Sequence, residues 1–538
     1  MRKVGAFSNQ SGDSLGTALA GTSGELSTIA CPFCGAGCSV ALVDGEAFPL
    51  LGDPSARGAL CQRGWSAGEL LFSPLRLVGA RLRERGGTAV AVSVDVALER
   101  SAARLADIRG RHGGASIGIL ASARLTLEEL RLLGDLARTI GTPHLDSMQR
   151  LGCVPEPSRG LDAIDGASRL TVVATDLAVR HPQAYRRVLE ALERDVPVRW
   201  VGSQETALAR LATERIHCLP GREVETAAQA VRDDELVLWS SEPALHGQGG
   251  PALRRFGGSR VVRLGDYVNQ RALLAAGAFP GADGWSAYEM LLRAAAGELK
   301  ALLIFADDPF EFFPDLAARA FAALEFVLVG DAVATRTTEA ADAVLPGALL
   351  AEKTGTLVAA DDSRRMLEAA HSPPAGISEG DVALRLVTLL GGEAGGARTP
   401  AFALGPDGPA ADEPTSAFPF VAALDASTLW CGHALVQATI TARREAWGPR
   451  ADFPDGWVSL CAADAKALGV RSGWTVRVES DGGAVQLAVR IDGRTAEGTV
   501  GIPMSCWERA GTVLGALALD PCLRIPVFRP RPVRLSRT

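Results

Sequence analysis

The sequence predicts an α/β chain made of a short cysteine-bearing module, two parallel-sheet α/β domains and a C-terminal β-barrel. Three observations carry that prediction. Short β-rich runs alternate with helical patterns from about residue 75 to 390. A Gly-, Ala- and Pro-rich stretch without periodicity follows at 391–417. Beyond it the strands alternate apolar and polar residues and are joined by Asp-Gly turns. With 538 residues, 47% of them hydrophobic, the chain has material for roughly three or four domains.

Taken in order, residues 1–27 are small, polar and rich in Gly and Ser, and are expected to be disordered. Residues 28–74 form the cysteine module. Within 75–390, SIGILAS (116–122) reads as a buried strand and LTLEELRLLGDLARTIG (125–141) as the amphipathic helix after it. The same grammar recurs at RLTVVAT, VPVRWVG, ELVLWSS, SRVVRLG, KALLIFA and EFVLVGD, with a break near 245–285 between two α/β halves. Residues 391–417 read as a linker or long surface crossover. In 418–538, WVSL, GWTVRVESDGGAVQLAVRIDG and GTVGIPM supply barrel strands and AADAKALG one short helix.

The balance of charge excludes some partners. A net charge of −7, with no basic run and only four lysines (Lys3, Lys300, Lys353 and Lys466), argues against nucleic acid. No run of about 18 apolar residues exists, so no direct membrane insertion is expected. Arg2-Lys3 is neither a twin-arginine pair nor followed by an apolar segment, so no export signal is read. Ten cysteines in such a chain then point to reduced thiols and ligands in the cytoplasm, not to a disulfide framework.

Four cysteines stand apart. Cys31, Cys34, Cys38 and Cys61 follow the spacing C-x2-C-x3-C-x22-C. Three lie on one short loop, CPFCGAGC, where Gly35 and Gly37 let backbone amides turn toward the anionic sulfurs of a [4Fe-4S] cluster. The fourth returns in GALCQRG. A structural zinc would also accept four thiolates, although zinc ribbons present two paired knuckles and Cys61 stands alone. Arg63, two residues on, is either a cation beside the cluster or a surface arginine.

The run CPFCGAGC…GALCQRGWSAGELLFSPLRLVG closely resembles the opening of molybdopterin oxidoreductases of the formate dehydrogenase type. HLDSMQRLGCVPEPS, TDLAVRHP, TRTTEAADAVLPGALLAEKTGT and GALALDPCLRIPVFRPRPVRL extend the likeness over most of the chain. The resemblance implies a cluster domain, two α/β domains and a barrel holding pterin guanine dinucleotides with molybdenum or tungsten. It also implies a basic residue at the Arg63 position between cluster and pterin. It places Asp176, Gly221, Glu223, Asn269, Asp308, Glu352 and Gly355 on cofactor-binding segments. Neither G-x-G-x-x-G nor a Walker pattern occurs, so electrons are expected to leave through ferredoxin-like or flavin/NAD-binding partner subunits.

The chain also departs from that family. Its middle is compressed, like the large iron–sulfur subunit of complex I, which keeps the fold without the metal. Asp176 and Asp308 stand where the family has Asn, Glu223 where it has Asp, and VAADDSRR lacks the usual Asn. A carboxylate in place of an amide near pyrophosphate loses an N–H donor and adds repulsion, on the order of 1–3 kcal/mol each. Arg63, Arg222 or Arg336 would have to compensate. At the metal, Cys153 is displaced by one residue and followed by Val154 where the family has His; it is either a ligand and catalytic residue or a buried thiol. Cys218, Cys431, Cys461, Cys506 and Cys522 show no ligand spacing. His144, His181 and His433 lie near the pterin segments but read equally as structural. Two functions follow: a formate dehydrogenase-like oxidoreductase subunit, or a non-catalytic electron relay that has lost the metal-pterin site.

Overall fold

The computed structural model describes residues 26–538 except 85–86, 151, 154–157, 249–252, 258–259, 396–411, 426–432, 443–452, 454–455, 507–509, 511–516 and 521–523. Most of the expected disordered start, part of the expected linker, and Cys431 and Cys522 lie outside the described residues. The chain divides into two units: Met1–Arg150 with Tyr267–Ala401 and Ala434–Arg443, and Leu151–Asp266 with Phe402–His433 and Arg444–Thr538.

The first unit opens with a three-stranded antiparallel sheet, Leu26–Ala30, Ser39–Val43 and Glu46–Pro49. Its main sheet has seven strands. Five are parallel, in the order Ala343–Pro346, Phe326–Asp331, Ala301–Phe305, Ile117–Leu120 and Leu145–Asp146. Ala80–Leu82 and Val90–Val92 extend the Ala343–Pro346 edge antiparallel. Strands buried on both faces must be apolar throughout, and ALLIF at 301–305 and IGIL at 117–120 are buried at every position. The predicted helix forms over Leu127–Ile140. It is capped by Thr126, whose hydroxyl accepts from the Glu129 amide, and closed by Gly141 in the left-handed region. Chain order reverses between Ile117–Leu120 and Ala301–Phe305, which makes the carboxyl ends of those strands the switch point of this sheet.

The second unit holds a five-stranded parallel sheet in the order Glu214–His217, Val198–Gly202, Leu170–Val173, Leu236–Trp239 and Val261–Arg263. Its core includes Val172, Val188, Trp200 and Leu238. Here the order reverses between Leu170–Val173 and Leu236–Trp239. The same unit closes a six-stranded barrel from Phe420–Asp425, Thr499–Pro503, Trp457–Leu460, Gly483–Ile491, Thr475–Ser480 and Arg531–Arg537. Ser480 pairs with Gly483 across the two-residue Asp481-Gly482 turn that the sequence predicts. All seven β-rich runs named above form parallel strands. Several further strands go beyond the sequence reading, three of them for a clear reason. Glu214–His217 is a polar edge strand, Ala343–Pro346 is only four residues long, and Arg531–Arg537 hides behind Pro530 and Pro532. No helix among the described residues is long and apolar enough to cross a membrane.

Candidate cofactor and cluster sites

In the first unit the CPFCGAGC loop is the connection of an antiparallel hairpin. Ala30 pairs with Ser39, and the Cys31 amide donates to the Cys38 carbonyl at 2.7 Å, closing the loop at its base. Gly37 sits at φ +56°, a conformation that disfavours any side chain, and its amide donates back to the Cys34 carbonyl at 3.1 Å. The Phe33 amide is directed at the Cys31 sulfur and the Ala36 amide at the Cys34 sulfur. Asp53 braces the loop by accepting from the amides of Ser39 and Ala56 at 3.1 and 2.6 Å.

Cys61 ends the next loop and leads into the turn of helix Gln62–Trp65, which brings it back to the other three thiols. Cys31, Cys34 and Cys38 are buried and Cys61 is half-buried. Burial pushes the three buried thiols up, the neighbouring cysteines add to that, and Arg63 opposes it at Cys31 and Cys34. Arg63 is itself buried and hydrogen-bonds toward Cys34. Among the described residues no three Cys, His, Asp or Glu side chains converge to hold a single metal ion. The four thiols are electrostatic neighbours without being drawn to one point.

The other predicted residues of this unit are engaged by the protein. Asn269 donates to the Leu125 carbonyl at 2.7 Å and accepts from the Val358 amide at 2.7 Å. Glu352 accepts from Arg76 at 2.8 Å and from the Leu349 amide at 2.7 Å. A Cβ on Gly355 would stand 2.7 Å from Glu128 Oε2, so only glycine fits there. Lys353 is buried between Glu129 and Glu379 at 2.9 and 2.8 Å. His144 stacks on Trp285 at 4.0 Å and accepts from its amide.

At the switch point of the seven-stranded sheet, strand Ala301–Phe305 ends in Ala306, at φ +56°, then Asp307 and Asp308. Asp308 accepts from the Phe310 amide at 3.1 Å and from the Thr337 hydroxyl. Asp307 accepts from the amides of Met148 and Asp308 at 2.8 and 3.0 Å. Burial pushes Asp307 up to about 7 and Asp308 up to about 6, against the pull of those donors and of Arg124. Both oxygens of Glu311 are buried and make no close hydrogen bond, and burial and the two aspartates push its carboxyl well above the ordinary range against Arg124 and the Ala434 amide.

At the switch point of the five-stranded sheet in the second unit, strand Leu170–Val173 ends in Ala174, at φ +43°, then Thr175 and Asp176. Thr175 Oγ1 and Asp176 Oδ1 are buried without hydrogen-bond partners. Asp176 Oδ2 lies 3.5 Å from Arg494, which comes from the barrel and also binds Asp492. Burial raises the Asp176 carboxyl, and Arg494 only partly offsets it. Arg494 is the residue that sequence reasoning missed; Arg222 instead pairs with Glu225 and Glu413 at 3.2 Å each. In the first unit, Arg336 stacks over Phe310 at 4.9 Å.

Nearby in the second unit, Gly221 at φ +82° donates to Glu223, which also meets Ser203 and His246 at 3.2 and 3.4 Å. Burial acts to raise Glu223, but His246 and the Gly221 amide outweigh it and hold the carboxyl low. Burial pushes Glu242 up to about 7 despite Arg180 and His246. His181 lies 3.5 Å from Asp266. Cys153 is buried just after Gly152, whose backbone passes so close to Ser241 that a Cβ would stand 2.0 Å from its side chain.

Comparison with known proteins defines the class. Residues 255–377 match the molybdopterin oxidoreductase family and residues 429–529 the molydopterin dinucleotide binding domain. Two separate stretches of the chain thus resemble molybdopterin oxidoreductases. It is 24% identical to the NADPH-Fe(3+) oxidoreductase subunit alpha of Geobacter sulfurreducens over 88% of this chain and 71% of that one. It is 22% identical to the F420-dependent formate dehydrogenase 1 subunit alpha of Methanococcus maripaludis over 93% and 97% of the two chains. That alignment spans 666 positions against 538 residues here, so the relative carries insertions that this chain lacks. The acetylene hydratase from Pelobacter acetylenicus shares the fold at a TM-score of 0.70, with 14% identity over 95% of this chain and all of that one.

Proposed function

We propose that this chain is a formate dehydrogenase-like oxidoreductase subunit that passes electrons to partner subunits through one [4Fe-4S] cluster on Cys31, Cys34, Cys38 and Cys61. The observation that carries the reading is that those four thiols are neighbours, three of them on a hairpin loop turned by left-handed Gly37, with two amides directed at sulfurs. A [4Fe-4S] cluster would be held by these four cysteines, each supplying one thiolate, and would supply one-electron transfer there. The raised thiols mean that cluster assembly releases protons, and Arg63 offsets part of the negative charge that results.

The fit to a pterin guanine dinucleotide differs between the two switch points. In the second unit, Thr175, Asp176 and Arg494 leave a buried hydroxyl and a carboxylate oxygen for a ligand that donates hydrogen bonds, beside a guanidinium. In the first, Asp307, Asp308 and Glu311 do not suit an anionic group. When bound with molybdenum or tungsten, the pterin supplies two-electron chemistry that the cluster divides into single electrons. The carboxyls of the first unit favour a second reading, an electron relay without the metal. Ferredoxin-like or flavin/NAD-binding subunits are the partners that either reading requires.

Metal analysis of anaerobically purified protein tests both. About four irons per chain, with a reducible signal in electron paramagnetic resonance that Cys34→Ser abolishes, is the expected result. Zinc without iron would overturn the cluster. Molybdenum or tungsten near one per chain separates the enzyme from the relay, and only the enzyme would reduce an artificial dye with formate.

A further inference from the structure

Arg365 lies on the strand Arg364–Leu367, which pairs with Gly355–Val358 far along the chain from the cysteines. Its guanidinium nevertheless reaches the cysteine loop. Nη1 donates to the Ser39 hydroxyl at 3.0 Å, and Ser39 directly follows Cys38. Nη2 is buried and makes no hydrogen bond among the described residues. It is also the nearest heavy atom, at 3.9 Å, to where a Cβ on Gly37 would stand. A buried, charged donor without an acceptor is costly, on the order of 1–3 kcal/mol or more, so its persistence calls for an explanation.

We propose that Arg365 is a positioning and tuning residue for the cluster, with Nη2 held free to donate toward it from the Gly37 side. This inference rests on the cluster reading given above. Arg63 reaches Cys34 from the Gln62–Trp65 turn, and Arg365 supplies a second cation through Ser39. A positive charge and an N–H donor both favour the reduced, more negative cluster and raise its potential.

The test is a potentiometric titration followed by electron paramagnetic resonance on the full chain, with iron counted in each variant. Arg365→Gln is expected to keep about four irons while its midpoint falls, changing the oxidised-to-reduced ratio at a fixed potential by about tenfold, ~59 mV for one electron. Arg365→Lys keeps the charge but lacks the fork of two nitrogens that lets one bind Ser39 while the other faces the cluster, and is expected to shift the ratio by about threefold. Four irons with an unchanged midpoint in Arg365→Gln would leave Arg365 a purely structural residue. If Arg365→Gln sheds its iron, Arg365→Lys decides: an unchanged or higher midpoint there overturns the proposal. A wild-type chain that holds zinc and no iron removes the cluster reading and this inference with it.

Discussion

Two loops of the same construction leave the switch points of the two sheets. ATDLAVRHP, from Ala174 to Pro182, and ADDPFEFFP, from Ala306 to Pro314, share a left-handed alanine, an aspartate two residues later, a one-turn helix, and a proline that starts the next helix. An alanine held at positive φ costs on the order of 1 kcal/mol or more, and such strain collects at functional sites. The backbones therefore agree, while the side chains have diverged. In the second unit the loop is left open, with the Thr175 hydroxyl and one Asp176 oxygen lacking partners and Arg494 alongside. In the first unit Asp307 and Asp308 are satisfied within the protein, and Glu311 adds a third carboxyl where the other loop has Val179. A shared fold keeps the shape of a ligand loop, and the polar groups decide whether a ligand is needed.

The largest effect expected from this difference is in stoichiometry. Acid extraction of purified protein should release about one guanine nucleotide per chain, where two equally competent loops would release two. Asp176→Ala together with Thr175→Ala should remove that nucleotide, and Asp308→Ala should leave it in place. Two equivalents in the wild type would show that the acidic loop also binds.

The second effect concerns pH. Asp308 is pushed up to about 6 and Asp307 to about 7 in the fold, above the ordinary value near 3.8. Between those values the native state holds more protons than the unfolded chain, so stability falls as pH rises through that window. Asp308→Asn keeps its acceptor, because the Phe310 amide and the Thr337 hydroxyl both donate to Oδ1. The variant should be more stable than wild type at pH 8, by roughly 1–3 kcal/mol, and unchanged near pH 4. Thermal melts at the two values check this; equal gains at both would mean that charge is not the cause.

Arg494 offers the converse measurement. Removing it as Arg494→Gln leaves Asp176 buried without its cation, at a cost of about 1–3 kcal/mol at pH 8. The cost should shrink as the pH is lowered, because burial raises the Asp176 carboxyl and its protonation removes the unpaired charge. A loss independent of pH would assign Arg494 to holding the Asp492 turn instead.

Much of this was legible in the residues. The β-rich runs and the Asp-Gly turn identify the parallel sheets and the barrel because burial on two faces, or on one, leaves a direct mark on composition. Asp176 and Asp308 were placed on cofactor-binding segments by the family resemblance, ahead of His181-Pro182 and of Pro309. Arg494 was not legible. Its value comes from a barrel turn more than 300 residues from Asp176, and Asp-Gly-Arg in a turn looks like ordinary surface. Arg365 was hidden in the same way, as one of two adjacent arginines whose exposures differ only once the strand pairing is known. The structure also leads away from Asn269 and Glu352 as open ligands, since their partners come from segments about 144 and 276 residues distant. Side-chain satisfaction is a tertiary property, and no spacing rule reports it.

The smallest effect separates the loops by one hydroxyl each. Thr337 donates to Asp308, so Thr337→Val removes a buried hydrogen bond to a carboxyl and should destabilise the protein by ~1–2 kcal/mol. Thr175 Oγ1 is just as buried but has no hydrogen-bond partner. Replacing an unsatisfied buried hydroxyl with a methyl of similar size removes a desolvation cost and no bond. Thr175→Val should therefore be neutral or stabilising in protein stripped of nucleotide, by up to ~1 kcal/mol. In nucleotide-loaded protein the sign should reverse, because the hydroxyl then has its acceptor or donor. Chemical denaturation of stripped and loaded samples of both variants gives four numbers. A Thr175→Val loss of the same size in both samples would show that the hydroxyl is satisfied by the protein or by bound water, and that the loop of the second unit is no more open than that of the first.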